Sequence, residues 1–175
     1  MRCSWVNECN PLYIEYHDNE WGKPIYDDNK LFEVLSLEIF EAGLSFETIL
    51  NKRKDIRIAF DNFSIDIVSK YKNDKITELM NDKKIIRHEL KIKAIINNAS
   101  VIKSIQKEYQ NFANYIWGFK KINNENQTKI INIIYKDLKN RHMKFIGPKI
   151  IKSYLEAIGF INGHEKGCDM RNISL

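Results

Sequence analysis

The feature that most restricts this chain is the spacing of its apolar residues, which is helical almost from end to end. In NKLFEVLSLEIFEAG they recur every three or four positions, which predicts a helix from about Asn29 to Ala42, stopped by Gly43. Ser45 reads as the cap of a second helix carrying Phe46, Ile49 and Leu50. Ser64 and then Asn73 or Asp74 read as caps of two short helices. A long helix is expected from about His88 to Lys107, with Leu90, Ala94, Ile95, Ile102 and Ile105 in phase. Phe112, Tyr115 and Ile116 mark another. Thr128 opens one through Ile131, Ile134 and Leu138, and Pro148 to Ile158 forms the last, closed by Gly159. No alternating strand pattern occurs, and seven glycines and three prolines leave few breaks. The class expected is all-α. The 175 residues suit one domain, with the polar loop KKINNENQ (120–127) the best place for a linker between two lobes.

Composition narrows the partners. The formal net charge is +5, which is compatible with a polyanion. No apolar run is long enough to span a bilayer, and the N-terminus lacks the apolar stretch of a signal peptide. A cytoplasmic location is expected. The three cysteines, Cys3, Cys9 and Cys168, are an odd count and argue against a disulfide framework.

Three features carry chemistry. In HEKGC (164–168), His164 and Cys168 stand four apart, which is half a metal site; Cys3 and His17 offer the other half. Two cysteines and two histidines suit zinc in a closed tetrahedron, a structural role that would tie the chain ends together. The plain alternative is a capping or surface His17 and a buried thiol at Cys168. His88 and His142 read as surface residues. Second, Glu38 continues the apolar stripe of Leu31, Val34 and Leu35, whereas Glu41 falls further round toward solvent. A glutamate there either emerges at the stripe's edge or accepts a ligand's hydrogen bonds in an apolar pocket. Trp5, Tyr13, Tyr16, Trp21 and Phe46 surround it in sequence, and an aromatic pocket with one acceptor suits a flat ligand such as a nucleobase. Third, MKFIGPKIIKSYLEAIG (143–159) reads as a tight turn with Gly147 followed by a helix begun at Pro148. Free N–H groups at such a helix start bind phosphate, and Lys149 adds charge; a plain turn between helices is the other reading. The turn resembles a helix-hairpin-helix element, with Phe145 in place of its first glycine and Lys144 in place of its proline.

Taken together, CSWVNECNPLYIEYHDNEWGKP (3–24), LFEVLSLEIFEAGLSFETIL (31–50), IIRHELKIKAIINNA (85–99) and FIGPKIIKSYLEAIGFINGHEKGC (145–168) resemble the DNA-3-methyladenine glycosylase I family of helix-hairpin-helix glycosylases. The resemblance covers nearly the whole chain. It implies a helix-hairpin-helix glycosylase fold and a monofunctional enzyme that flips 3-methyladenine out of double-stranded DNA and hydrolyses its N-glycosidic bond. It implies one structural Zn2+ held by Cys3, His17, His164 and Cys168. Glu38 would hydrogen-bond the base, with Trp5, Tyr13, Tyr16, Trp21 and Phe46 around it; Phe46 stands where the family usually has tryptophan. Leu44, beside Ser45, would enter the DNA as a wedge, and Gly147 and Lys149 would contact its backbone. A monomer is expected. Two other readings compete. A zinc hydrolase would need an open metal position, which four ligands deny. A non-catalytic alkylation-damage-binding protein would share the fold and affinity but release no base.

Overall fold

The computed structural model describes residues 1–122 and 126–172, and among these every regular element is a helix. They run α1 (Pro11–Asn19), α2 (Asp28–Glu41), α3 (Phe46–Ala59), α4 (Ile65–Val68), α5 (Asn73–Asn81), α6 (Glu89–Tyr109), α7 (Phe112–Gly118), α8 (Gln127–Asn140) and α9 (Pro148–Ala157). Short 3-10 turns lie at Asp61–Phe63, Phe119–Lys121 and Asp169–Asn172. Of the proposed linker, residues 123–125 lie outside the described residues, while Lys120 and Lys121 belong to a 3-10 turn and Gln127 opens α8.

Local chemistry sets most boundaries. Asp27 caps α2 through the Lys30 N–H at 2.8 Å, and Ser45 caps α3 through that of Thr48 at 3.3 Å. Gly43 takes φ +83°, the left-handed turn that ends α2. Asn10 caps α1, a helix its own weak periodicity hides from the sequence. Four expected details change. Asn126 rather than Thr128 caps α8, because an amide oxygen one turn ahead reaches the Lys129 N–H. Lys72 occupies the cap position of α5, with Asn73 already helical, and Ser64 precedes α4 without a side-chain cap bond. Leu90 is 65% exposed, since it lies in the first turn of α6 and Ile92 takes the core position. His88 is at the surface as expected, and there its Nδ1 accepts from the Lys91 N–H and caps α6.

The apolar faces close into one large core, from Leu31, Phe32 and Leu35 of α2 through Ile95 and Ile102 of α6 to Tyr154 and Leu155 of α9. A smaller cluster forms apart from it, built by Cys3, Val6 and Tyr13 with Leu50 and Cys168. Trp5, Tyr16, Trp21 and Phe46 pack on this second cluster. The chain ends therefore make a separate apolar unit laid against α2, α3 and α9. Close backbone approach fixes this docking: the Gly22 N–H donates to the Ala157 carbonyl at 3.1 Å, and a Cβ on Gly159 would stand 2.6 Å from the Gly22 oxygen.

Candidate functional site

The two clusters meet around a chamber of about 230 Å3, walled by Trp5, Tyr13, Tyr16, Trp21 and Phe46 on one side and by Glu38, Glu41, Ser153 and Glu156 on the other. The rings brace one another. Phe46 lies 5.2 Å from Tyr13 and 5.0 Å from Tyr16, and Trp5 meets Trp21 edge-on at 4.9 Å. Arg53, held by Glu20 through two hydrogen bonds, sits 5.5 Å from the Tyr16 ring centre and fixes that ring from behind.

Glu38 projects from α2 into this space. No donor among the described residues reaches its carboxyl. Burial, together with Glu41 and Glu156, pushes it up to about 8. It also borders a deeper cavity of about 200 Å3 floored by Val34, Leu37 and Ile49, and an open groove of about 650 Å3. The two acids Glu38 and Glu41 line all three spaces. Glu41, half-exposed, thus reaches solvent through the groove and also faces the chamber. Burial raises its carboxyl, with Lys149 opposing.

The groove runs between two exposed turns. On one side are Gly43 and Leu44, with Leu44 43% exposed; on the other are Phe145, Gly147 and Lys149. Ser45 is spent capping α3 and does not line the groove. Two buried polar residues of α6 hold these turns. The Lys91 ammonium donates to the carbonyls of Phe40 at 2.8 Å and Ala42 at 2.6 Å, tying off the end of α2. Asn98 grips Lys144 twice, accepting from its N–H at 2.8 Å and donating to its carbonyl at 3.0 Å. Sequence reasoning missed both. The signal was there: Lys91 and Asn98 stand in phase with Ile95 and Ile102, polar residues on a buried stripe.

Behind the aromatic wall lie the four residues that could hold a metal. Cys3, His17, His164 and Cys168 are all buried, and their ligand atoms lie within 4.8 Å of one another. Cys3 Sγ is 3.6 Å from His164 Nδ1, and Cys168 Sγ is 3.5 Å from both His164 Nδ1 and His17 Nε2. Zinc bond lengths in a tetrahedron give sulfur–nitrogen edges of about 3.5 Å, so the donor set fits. Asp18 accepts from His17 Nδ1 at 2.7 Å, which leaves Nε2 as the ligand atom, and Arg2 holds Asp18 in turn. This cluster supports the chamber: Trp21 packs on His164 at 4.6 Å and Trp5 on His17 at 5.3 Å. Gly163 matters here, because a Cβ would meet the Trp21 ring at 2.8 Å. Cys9 is exposed and stands apart.

In this all-helical body the aromatic chamber, the unpartnered carboxyl and the turn-flanked groove adjoin one another, a shape that suits a flat ring held beside an extended polymer. The comparisons with known proteins agree. The methyladenine glycosylase family model matches residues 5–172. DNA-3-methyladenine glycosylase 1 of Escherichia coli (strain K12) is 38% identical, covering 95% of each chain. The DNA-3-methyladenine glycosylase of Haemophilus influenzae is 36% identical over 95% of this chain and 96% of its own. Among solved structures, 3-methyladenine DNA glycosylase I from Staphylococcus aureus, determined to explain its recognition of 3-methyladenine, superposes with a TM-score of 0.88 at 33% identity. That match covers 97% of this chain and 96% of that one. The chain belongs to the methyladenine glycosylase family.

Proposed function

We infer that this protein works at the Glu38 chamber. It is a DNA-3-methyladenine glycosylase, a hydrolase of N-glycosyl bonds that excises 3-methyladenine from DNA. The observation that carries the assignment of the site is the raised, unpartnered Glu38 carboxyl facing a box of aromatic rings.

Adenine alkylated at N3 is cationic while attached to its sugar. Its glycosidic bond is already weak, so no strong acid is required. The flipped nucleotide enters the chamber, and the rings of Trp5, Tyr13, Tyr16, Trp21 and Phe46 receive the flat cation by stacking and cation–π attraction. With its pKa pushed up to about 8, the carboxyl is mostly protonated at neutral pH when the chamber is empty; a bound cation draws it into the carboxylate form. Glu38 then accepts from the exocyclic amine edge. The glycosidic electron pair passes to the base and cancels its charge, while water adds to C1′ and loses a proton, leaving an abasic site. Among the described residues no lysine lines the aromatic chamber, which favours hydrolysis over an imine-forming route. Leu44 fills the gap left by the nucleotide, and the Gly147 turn with Lys149 holds a backbone phosphate. Normal adenine lacks the charge, so much of the selection is chemical.

The metal assigned to Cys3, His17, His164 and Cys168 is zinc, one per chain, in a structural role: with four protein ligands it supplies stability and no reactive position. Metal analysis should find one zinc per chain, lost in Cys168→Ser together with several kcal/mol of stability; a full-strength fold with no metal in the wild type would remove zinc from the account. We further assign the 175 residues to one catalytic domain acting as a monomer in the cytoplasm. Among the described residues no helix is long and apolar enough to cross a membrane.

The direct test is release of free base from methylated DNA by the wild type beside a folded Glu38→Ala variant. Release of 3-methyladenine that drops sharply in the variant supports the site. Undiminished release from the variant would move the chemistry elsewhere.

A further inference from the structure

Phe145 is placed at odds with folding economy. The residue is 39% exposed, and its backbone sits at φ +56°, a region bulky side chains rarely adopt. The conformation is imposed from both sides. Asn98 clamps Lys144 on the preceding side, Asn97 donates to the His142 carbonyl at 3.0 Å, and Pro148 starts α9 just beyond. Glycine would meet this geometry without strain. A strained backbone that presents an aromatic ring to solvent is a common mark of function.

The ring does not hang free. It lies edge-on to His88 at 6.0 Å and 5.8 Å from the Lys91 ammonium. That same ammonium holds the Phe40 and Ala42 carbonyls, immediately before the turn that carries Leu44. One buried cation therefore joins the mounts of two exposed apolar side chains. Leu44 and Phe145 border the same groove from opposite turns. Lys144 and Lys149 flank Phe145 and are exposed, so the neighbourhood suits a polyanion.

We propose that Phe145 is a second DNA-contacting wedge, which packs on the stacked bases beside the lesion while Leu44 fills the space of the extruded nucleotide. The duplex is thus held open at two points, with Lys91 fixing their separation. This inference rests on the glycosylase reading but concerns duplex engagement rather than the base chamber.

The test uses Phe145→Gly, which relieves the backbone and should fold as well as the wild type or better. Two binding measurements accompany base release: affinity for free 3-methyladenine, and affinity for a duplex with a tetrahydrofuran abasic analogue. Removing a base–aromatic stack should weaken duplex binding and slow release from methylated duplex by roughly tenfold to a hundredfold. Free-base affinity should not change, and Phe145→Trp should restore duplex binding. Wild-type duplex affinity in Phe145→Gly would overturn the proposal, as would equal losses of duplex and free-base affinity. The duplex measurement needs no turnover, so a wild type that releases no base would fail the catalytic reading and still decide this one.

Discussion

Helix α2 carries two inward carboxylates that meet opposite fates. Glu33 is the more buried, at 5% exposure, and is fully answered: Arg57 bonds it at 2.6 Å and Lys30 at 3.3 Å. Glu38, little more than a turn further on, faces the chamber with no partner, and burial beside Glu41 and Glu156 pushes it up to about 8. The first belongs to the fold, since its charge is neutralised within the chain. The second finds no cation in the described residues and keeps its proton instead, which leaves it open to the cationic base of the proposed function. Burial of a charge does not by itself mark a site; burial without a partner, in a cavity, does.

Breaking the pair on its functional side gives the largest effect. Glu38→Gln should cut release of 3-methyladenine by roughly tenfold to a hundredfold, the loss of about 1–3 kcal/mol from hydrogen bonds to a charged group. It should not lower the melting temperature at pH 6, where the wild type already holds a proton on Glu38 that its unfolded chain has lost. Single-turnover release and thermal unfolding on the same preparation check both halves, and an active variant would end the contrast. On the structural side, Glu33→Gln should do the reverse. It leaves Arg57 unpaired and should cost about 1–2 kcal/mol of stability, Arg57 being partly exposed and screened, with free-base affinity unchanged in a binding titration.

The contrast also has a pH signature. Between pH 4.5 and about 8 the folded protein keeps a proton on Glu38 that the unfolded chain has lost. Stability from this source is therefore fully present below pH 4.5 and is lost as pH rises through about 8. In Glu38→Gln that decline should disappear, so the variant should melt a few degrees above the wild type at pH 9. Melting curves from pH 5 to 9 would show it; parallel wild-type and variant curves would mean the carboxyl titrates normally. Smallest should be Phe46→Trp, which adds ring area to the chamber wall and should tighten free 3-methyladenine by no more than about 1 kcal/mol. Weaker binding would show that Phe46 leaves room the ligand uses.

Helix content, the stop at Gly43, the cap at Ser45 and the grouping of Cys3, His17, His164 and Cys168 could be proposed from the chain as written. Periodicity, cap chemistry and ligand type are local properties, and the resemblance joined the distant pieces. The sequence alone also put Glu38 on the apolar stripe, yet gave no sign that Glu33, about 140° further round the helix, is buried, because that depends on Arg57 arriving from α3. It hid α1, whose residues face aromatic neighbours rather than the main core. It sent Glu41 toward solvent, and the side chain is half-exposed, but the solvent it meets is that of the groove and chamber. It gave no reason for Lys91 and Asn98, polar residues on a core stripe, until the ends of α2 and the turn before α9 came within their reach. Periodicity fixes which way a side chain points on its own helix; what it meets there is decided when the helices pack.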